Sequence, residues 1–367
     1  MLFWHAPDFG ENLPFNLRES MFWLVQRGSH AYGTNIEGSD RDFQGICIPP
    51  KEVAQSLFHR FDQYEYKFPE IQVEATIFAL DRFFKLASQC NPNVIEALFV
   101  DTQRSILFSR APANILLENR DLFLSNRIGY TFSGYAISQL KRIKGHKNWL
   151  LNPVLTKPER SDFGLPPMPV ISSDLRGAAW RTIDYHLHSL APYLVHQEKE
   201  QVELFWESLA NLLALDLTVS EINSHTVTQI TELYGYSSDF VKMLRQEKAY
   251  ENAMTEYNNY QTWLANRNKK RFELESAFGY DVKHGMHLVR LLRMGKECLL
   301  TGELNVWRPD REELIEIRKG AWSYDQLIAY AESEQQTIQD ILKNRKSVLP
   351  NKVNESKIEE LYFKLLG

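Results

Sequence analysis

Within Arg27 to Pro49 (RGSHAYGTNIEGSDRDFQGICIP), a Gly28-Ser29 pair is followed, after ten intervening residues, by Asp40 and Asp42. Residues two apart on an extended chain share a face, so these carboxylates would stand side by side. Paired carboxylates suit hard divalent cations such as Mg²⁺ or Mn²⁺, which bind through oxygen and keep substrate phosphates as further ligands. Two such ions about 3.5–4 Å apart stabilise the attacking and leaving oxygens of an in-line displacement. Glycine lets backbone amides come close to a phosphate, and Ser29 adds a hydroxyl donor. The chemistry that fits is phosphoryl transfer. Gly-Ser alone or Asp-x-Asp alone would mean nothing, since the latter usually marks a turn or solvated loop; the spaced combination is uncommon.

A third carboxylate from a neighbouring strand would hold the metal beside the acceptor and take the acceptor's proton. Glu74, in the β-branched, alternating run Ile71 to Phe78 (IQVEATIF), is the candidate; an exposed strand glutamate is the alternative. Two further strands are expected at Met21 to Gln26 and Phe43 to Pro50. Asp81 is expected to cap a helix carrying Phe83, Phe84, Leu86 and Ala87, and Asn91-Pro92-Asn93 to end it and start the next. From about Pro112 the pattern becomes helical. Phe132 to Lys144, Gly177 to Leu194, Val202 to Leu217, Tyr257 to Phe278 and Lys283 to Thr301 all show helical spacing. Leu150 to Ser173 holds five prolines and is expected to be a long loop. The chain is thus expected to be α+β, a small α/β domain (1–110) followed by an all-helical domain (111–345) and a charged C-terminal tail (346–367).

Two other segments could meet a polyanion. In Asp281 to Arg293 (DVKHGMHLVRLLR), helical spacing lines up Lys283, His287 and Arg290, with His284 beside them. Lys283 would act as a point charge and Arg290 as a bidentate clamp on a triphosphate or a polynucleotide. A metal at His284 and His287, or a core-facing histidine pair flanked by solvated arginines, are the alternatives. Lys141, Arg142, Lys144, His146 and Lys147 with Trp149 would suit single-stranded nucleic acid, or form only a solvated helix end. The run Arg267 to Arg271 is also basic, while His186 and His188 face different sides of their segment and receive no role.

Bulk properties narrow the classes. At 367 residues the chain has room for two domains. A net charge of −5 does not mark the whole molecule as a nucleic-acid binder. No apolar stretch is long enough to span a bilayer, and the first residues lack a secretory pattern. Three widely separated cysteines argue against a disulfide framework and for a reducing compartment, the cytoplasm being the default.

The pattern GS, ten residues, DxD resembles the nucleotidyltransferase fold of DNA polymerase beta, poly(A) polymerases and antibiotic nucleotidyltransferases. More narrowly, GSHAYGTNIEGSDRDFQGI, TIFALDRFFKLASQCNPNVIEALF and GYDVKHGMHLVRLLRMGKECLLTGEL with the following Arg-Pro resemble the RNA repair pathway DNA polymerase beta group. The resemblance implies that Asp40 and Asp42 bind metal, that Gly28 and Ser29 hold nucleotide phosphates, and that the α/β domain has the nucleotidyltransferase fold. It departs at Glu74, where such proteins generally carry Asp. The implied activity moves a nucleoside monophosphate from a nucleoside triphosphate to an acceptor hydroxyl, an RNA end by the group's name, with pyrophosphate released. A protein or small-molecule acceptor, or a silent nucleotide- or RNA-binding module, are the alternatives.

Overall fold

The computed structural model describes residues 3–68, 72–178, 181, 238–265, 275 and 277–367. The chain divides into two compact units, residues 1–148 with 268–367, and residues 149–267. That division differs from the expected boundaries at 110 and 345, and the first unit reunites the two ends of the chain.

The first unit is built on a mixed sheet of five strands: β1 (Met21–Arg27), β2 (Arg41–Cys47), β3 (Gln63–Phe68), β4 (Val73–Ala79) and β5 (Ile106–Ser109). Their order is β3-β4-β2-β1-β5. β2 runs parallel to β4, and the other neighbours are antiparallel. Short helices lie among the strands: α1 (Leu17–Ser20), α2 (Gly28–Tyr32), α3 (Lys51–Ala54), α4 (Leu80–Ser88), α5 (Pro92–Ile95), α6 (Thr102–Ser105) and α7 (Ala111–Glu118). The long α8 (Arg127–Leu151) follows. After the second unit, where α9 (Ser238–Ala265) is described, come α10 (Val282–Thr301), α11 (Arg311–Arg318), α12 (Tyr324–Lys343) and α13 (Glu355–Leu366). This is the expected α+β architecture, a mixed sheet with helices and a helical C-terminal part.

The apolar run of β1 is continuous because both of its faces are covered. Trp23 and Val25 join the core formed with α4, α8, α10 and α12. Leu24 joins a second core with Phe3, Trp4 and Phe9 of the N-terminal segment. β2 and β4 alternate in the same sense, sending Ile46 and Phe78 to the helical core and Phe43, Cys47, Ala75 and Ile77 to the aromatic one. One face of the sheet is therefore the helical face, and it carries Arg27, Asp42 and Glu74 at its rim.

Several expectations need correction. The strand Gln63–Phe68 was not anticipated, although Tyr64, Tyr66 and Phe68 alternate with charged or amide residues. Asp81 is not the cap of α4, which begins one residue earlier with Ala79 in that position; its carboxylate instead pairs with Arg60 and, at 3.7 Å, Lys85. The expected charged tail contains α13, whose Ile358, Leu361 and Leu365 enter the helical core. Its charges occupy only the outer face of an amphipathic helix. Asn91 caps α5 as expected, accepting from the Asn93 amide at 3.0 Å. The basic run Arg267 to Arg271, His186, His188, the helix Val202 to Leu217 and most of Gly177 to Leu194 lie outside the described residues.

In the second unit, Arg160 donates to Glu247 (3.0 Å from Nη1), and the rings of Trp149, Tyr260 and Trp263 pack against one another edge-on or tilted. The expected loop after Leu150 is interrupted there by a turn of 3₁₀ helix, Arg160–Phe163. No helix among the described residues is long and apolar enough to cross a membrane.

A buried arginine ties the C-terminal part of the first unit to α2. Arg308 is fully buried, with Nη1 and Nη2 on Glu297 (2.6 and 2.7 Å) and Nε on Asp310 (2.7 Å). Its amide donates to the Tyr32 carbonyl at the end of α2 (3.1 Å). Arg308→Met strands Glu297 and leaves Asp310 to Arg293 (2.7 Å), so it is expected to cost about 3 kcal/mol. A urea titration should show a lower midpoint with an unchanged slope.

Candidate active site

α2 is a single turn that starts where β1 ends. Gly28 has φ +67°, and a Cβ there would lie 2.2 Å from Asp42 Oδ2. Asp42's carboxylate thus sits directly against the bare Cα of Gly28, which is why a glycine is required. The chain leaves α2 with the Thr34 amide donating to the Ser29 carbonyl (2.9 Å). A turn closed by Ile36 N–H to Ser39 Oγ (2.9 Å) then delivers Asp40 just ahead of β2. Arg318 of α11 pins this loop, donating to the Thr34 carbonyl (2.8 Å) and to Ser39 Oγ (3.4 Å).

Strand register sets the rest. Arg27 is opposite Asp42, Asp42 opposite Glu74, and Glu74 opposite Lys67. Directly paired residues share a face, so Lys67, Glu74, Asp42 and Arg27 form a row across four strands in which two neighbouring carboxylates are flanked by two cations. Burial, then the like charges of Glu74 and Asp40, raise the Asp42 carboxyl above the usual aspartate range, against the pull of Arg27 and Lys283.

Gly28, Ser29, Asp40 and Asp42 line a cavity of about 270 Å³ together with Lys283, His284 and His287 of α10. Arg142 and Gln139 of α8 and Arg318 of α11 line the same cavity. Six of the eight residues singled out from the sequence therefore meet in one place, although 241 residues separate Asp42 from Lys283 in numbering (283 − 42). Lys283 follows Asp281, whose carboxylate caps α10 by accepting from the Lys283 and His284 amides (2.9 and 3.1 Å).

Two candidates stand apart. Glu74 adjoins Asp42 in register but is more than half exposed and ion-paired with Lys67 at 3.3 Å. Arg290 was expected to clamp phosphate; it is instead buried behind the cavity, 2.8 Å from Glu96 and with its guanidinium 3.7 Å over the Tyr32 ring. Helical spacing placed it correctly beside His287, but an arginine committed to a buried carboxylate is not free for a ligand.

The basic cluster of α8 disperses. Lys144 pairs with Glu332 (3.6 Å), His146 with Glu275 (3.1 Å), and Lys147 sits over Tyr324. Arg142 alone of that cluster lines the cavity. Arg142 and Gln139 are three apart on one helix, a spacing that could have nominated them as a pair. Nothing in the local sequence marks Arg318, which reaches the site only through the packing of α11.

A larger groove, about 1070 Å³, lies along α4, the start of α8 and α13. It mixes Arg60, Lys85, Arg127 and Lys352 with Asp81, Glu355 and Glu359, and contains none of the motif residues.

Among the described residues, no three His, Cys, Asp or Glu side chains are gathered as a metal-ligand group. The donor chemistry at Asp40 and Asp42 nonetheless suits a hard cation. Both are oxygen donors on one cavity, the carboxyl of the second is raised by burial and by neighbouring negative charge, and the cavity leaves room for phosphate oxygens as further ligands.

A Gly-Ser turn leaves one strand of the mixed sheet and Asp-x-Asp enters the next, the arrangement implied by the resemblance to nucleotidyltransferases of the DNA polymerase beta type. Residues 16–154 match the model of the RNA repair pathway DNA polymerase beta family, which supports that grouping. The matched stretch contains all five strands and α8; it ends before α10 and α11, so Lys283, His287 and Arg318 lie outside it. No curated protein matches the chain.

Proposed function

We propose that the protein transfers a nucleoside monophosphate from a nucleoside triphosphate to an acceptor hydroxyl, an RNA end being the acceptor, with release of pyrophosphate. The observation that carries this reading is the Asp42 carboxylate lying against Gly28 in a cavity otherwise rich in cations. Asp40 and Asp42 would hold Mg²⁺ or Mn²⁺, which supplies charge neutralisation at the transferring phosphoryl group. Ser29 and the amides of the α2 turn bind phosphate oxygens. Lys283, Arg142 and Arg318 balance the remaining negative charge, and they do so without reorganising. A volume of about 270 Å³ is at the small end for ligand clefts, suited to a triphosphate more than to a whole nucleotide.

The acceptor's proton passes to Glu74 in this scheme. Glu74→Gln is then expected to lower kcat about 100-fold while nucleotide KM holds, measured under saturating acceptor. A second reading rests on the Lys67–Glu74 ion pair: a module that binds nucleotide and transfers nothing. In that case Glu74→Gln changes neither binding nor any product.

The deciding experiment incubates purified protein with Mg²⁺ or Mn²⁺, each labelled nucleoside triphosphate and mixed RNA, beside an Asp40→Ala/Asp42→Ala control. Label entering RNA, absent from the control, is the expected result. Label on the protein or on a small molecule would move the acceptor to that class. Nucleotide binding with no label transferred would favour the silent module.

A further inference from the structure

Behind the cavity lies a buried chain of polar groups that the proposed reaction does not use directly. Glu96 is buried among apolar residues of the helical core, a costly place for a carboxylate unless it is paired. Its Oε1 accepts from Arg290 Nη1 at 2.8 Å, and its Oε2 accepts from the Tyr32 hydroxyl. Arg290 is 1% exposed. Its guanidinium carbon lies over the Tyr32 ring, 3.7 Å from the centroid, and its Nη2 is 3.2 Å from His287 Nδ1.

The direction of that last bond is not free. A guanidinium has donors and no acceptor, so Nδ1 must accept and is unprotonated. The ring proton is then on Nε2, the remaining polar atom of a side chain that lines the cavity. A second proton on Nδ1 would point at Arg290, and Lys283 and His284 on the same helix and Arg27 from β1 add to the repulsion; burial and these cations hold His287 well below the ordinary histidine range. Tyr32 of α2 stays a neutral phenol through burial, so it leaves Glu96 as the single negative charge of the group.

We propose that Arg290 is a positioning residue, locked by Glu96 and Tyr32, that fixes His287 as the Nε2–H tautomer, and that this N–H is a neutral hydrogen-bond donor to a phosphoryl oxygen of bound nucleotide. The donor role rests on the nucleotide-binding reading above; the tautomer does not. The arrangement gives the site one donor whose charge does not depend on pH near neutrality, beside Lys283 and Arg318. It also explains why an arginine at helical spacing from Lys283 and His287 is turned away from the cavity.

The test has two readouts. Long-range ¹H–¹⁵N spectra of the uniformly labelled full-length protein report the tautomer of His287, assigned by its loss in His287→Gln. The expected wild-type pattern is Nε2–H at neutral pH, giving way to mixed tautomers in Glu96→Gln, in which the anchor of Arg290 is weakened but the side-chain shape is kept. A charged or Nδ1–H ring in the wild type overturns the proposal without the need for any variant, and so does a wild-type pattern retained in a folded Glu96→Gln.

The second readout is binding of ATP, CTP, GTP and UTP with Mg²⁺. The Gln amide nitrogen overlays imidazole Nε2, whereas the Asn amide nitrogen overlays Nδ1. His287→Gln is therefore expected to bind the preferred nucleotide within about threefold of wild type, and His287→Asn about tenfold more weakly, the size of a lost hydrogen bond to a charged group. Equal effects of the two substitutions, or an Nε2 resonance that does not move on nucleotide addition, overturn the donor role. Absence of binding by all four nucleotides in the wild type overturns the nucleotide reading with it, whereas a wrong tautomer with intact nucleotide binding overturns the relay alone.

Discussion

Asp42→Asn is expected to abolish nucleotidyl transfer and at the same time to make the metal-free protein more stable. The loss follows from removing a ligand whose metal contributes several kcal/mol of charge stabilisation; at tenfold per 1.36 kcal/mol this is about 10³-fold in kcat. The gain follows from the raised carboxyl of Asp42. The folded state holds that proton more tightly than the unfolded chain does, so stability falls as pH rises past the ordinary carboxylate value of about 3.9 and stays reduced at neutral pH. Asparagine keeps the shape and removes the disfavoured charge. Thermal unfolding at pH 7 should therefore give a higher Tm for the variant. Millimolar Mg²⁺ should raise the wild-type Tm, because a ligand that binds only the folded state stabilises it, and should leave Asp42→Asn unmoved. A variant that melts lower than wild type, or that responds to Mg²⁺ equally, would show that Asp42 is a structural residue and not a site of stored electrostatic cost.

The Gly-Ser and Asp-x-Asp side of the cavity was legible in the sequence because its information is local. Gly28, Ser29, Asp40 and Asp42 fall within fifteen residues (28 to 42), and the apolar runs around them announce the strands that align them. Lys283 and His287 were also legible, since three- and four-residue spacing identifies one side of a helix. That spacing does not say which of those side chains the helix buries. Arg290 has the same periodicity as its neighbours, and only the position of Glu96, 194 residues away, decides that it turns inward. Arg318 shows the converse: an ordinary helix-terminal arginine by sequence, it becomes part of the site because α11 packs beside the Thr34–Ser39 loop. The division into two units differs from the expected boundaries for the same reason. Local pattern sees α13 as a charged segment, while long-range burial of Ile358, Leu361 and Leu365 makes it part of the first unit.

Gly28→Ala separates the two demands that the Gly-Ser turn places on the chain. Gly28 has φ +67° and Gly38 has φ +73°, so alanine at either position carries a similar left-handed backbone penalty of about 1–2 kcal/mol. The surroundings differ. Nothing lies within 4 Å of a Cβ at Gly38, whereas a Cβ at Gly28 meets Asp42 Oδ2 at 2.2 Å. The carboxylate must move by more than an ångström to restore ordinary contact, and displacements of that size cost about 100-fold in rate when they fall on a positioned catalytic group. The expected result is that the two alanine variants lose comparable stability in thermal unfolding, and that Gly28→Ala alone loses about 100-fold in kcat. The clash and the carboxylate are also one unit, so the effects should not add. Gly28→Ala made in the Asp42→Asn background is expected to cause little further loss of transfer beyond that of Asp42→Asn. Multiplying losses in the double variant would mean that Gly28 acts through the phosphate-binding turn and not through the placement of Asp42.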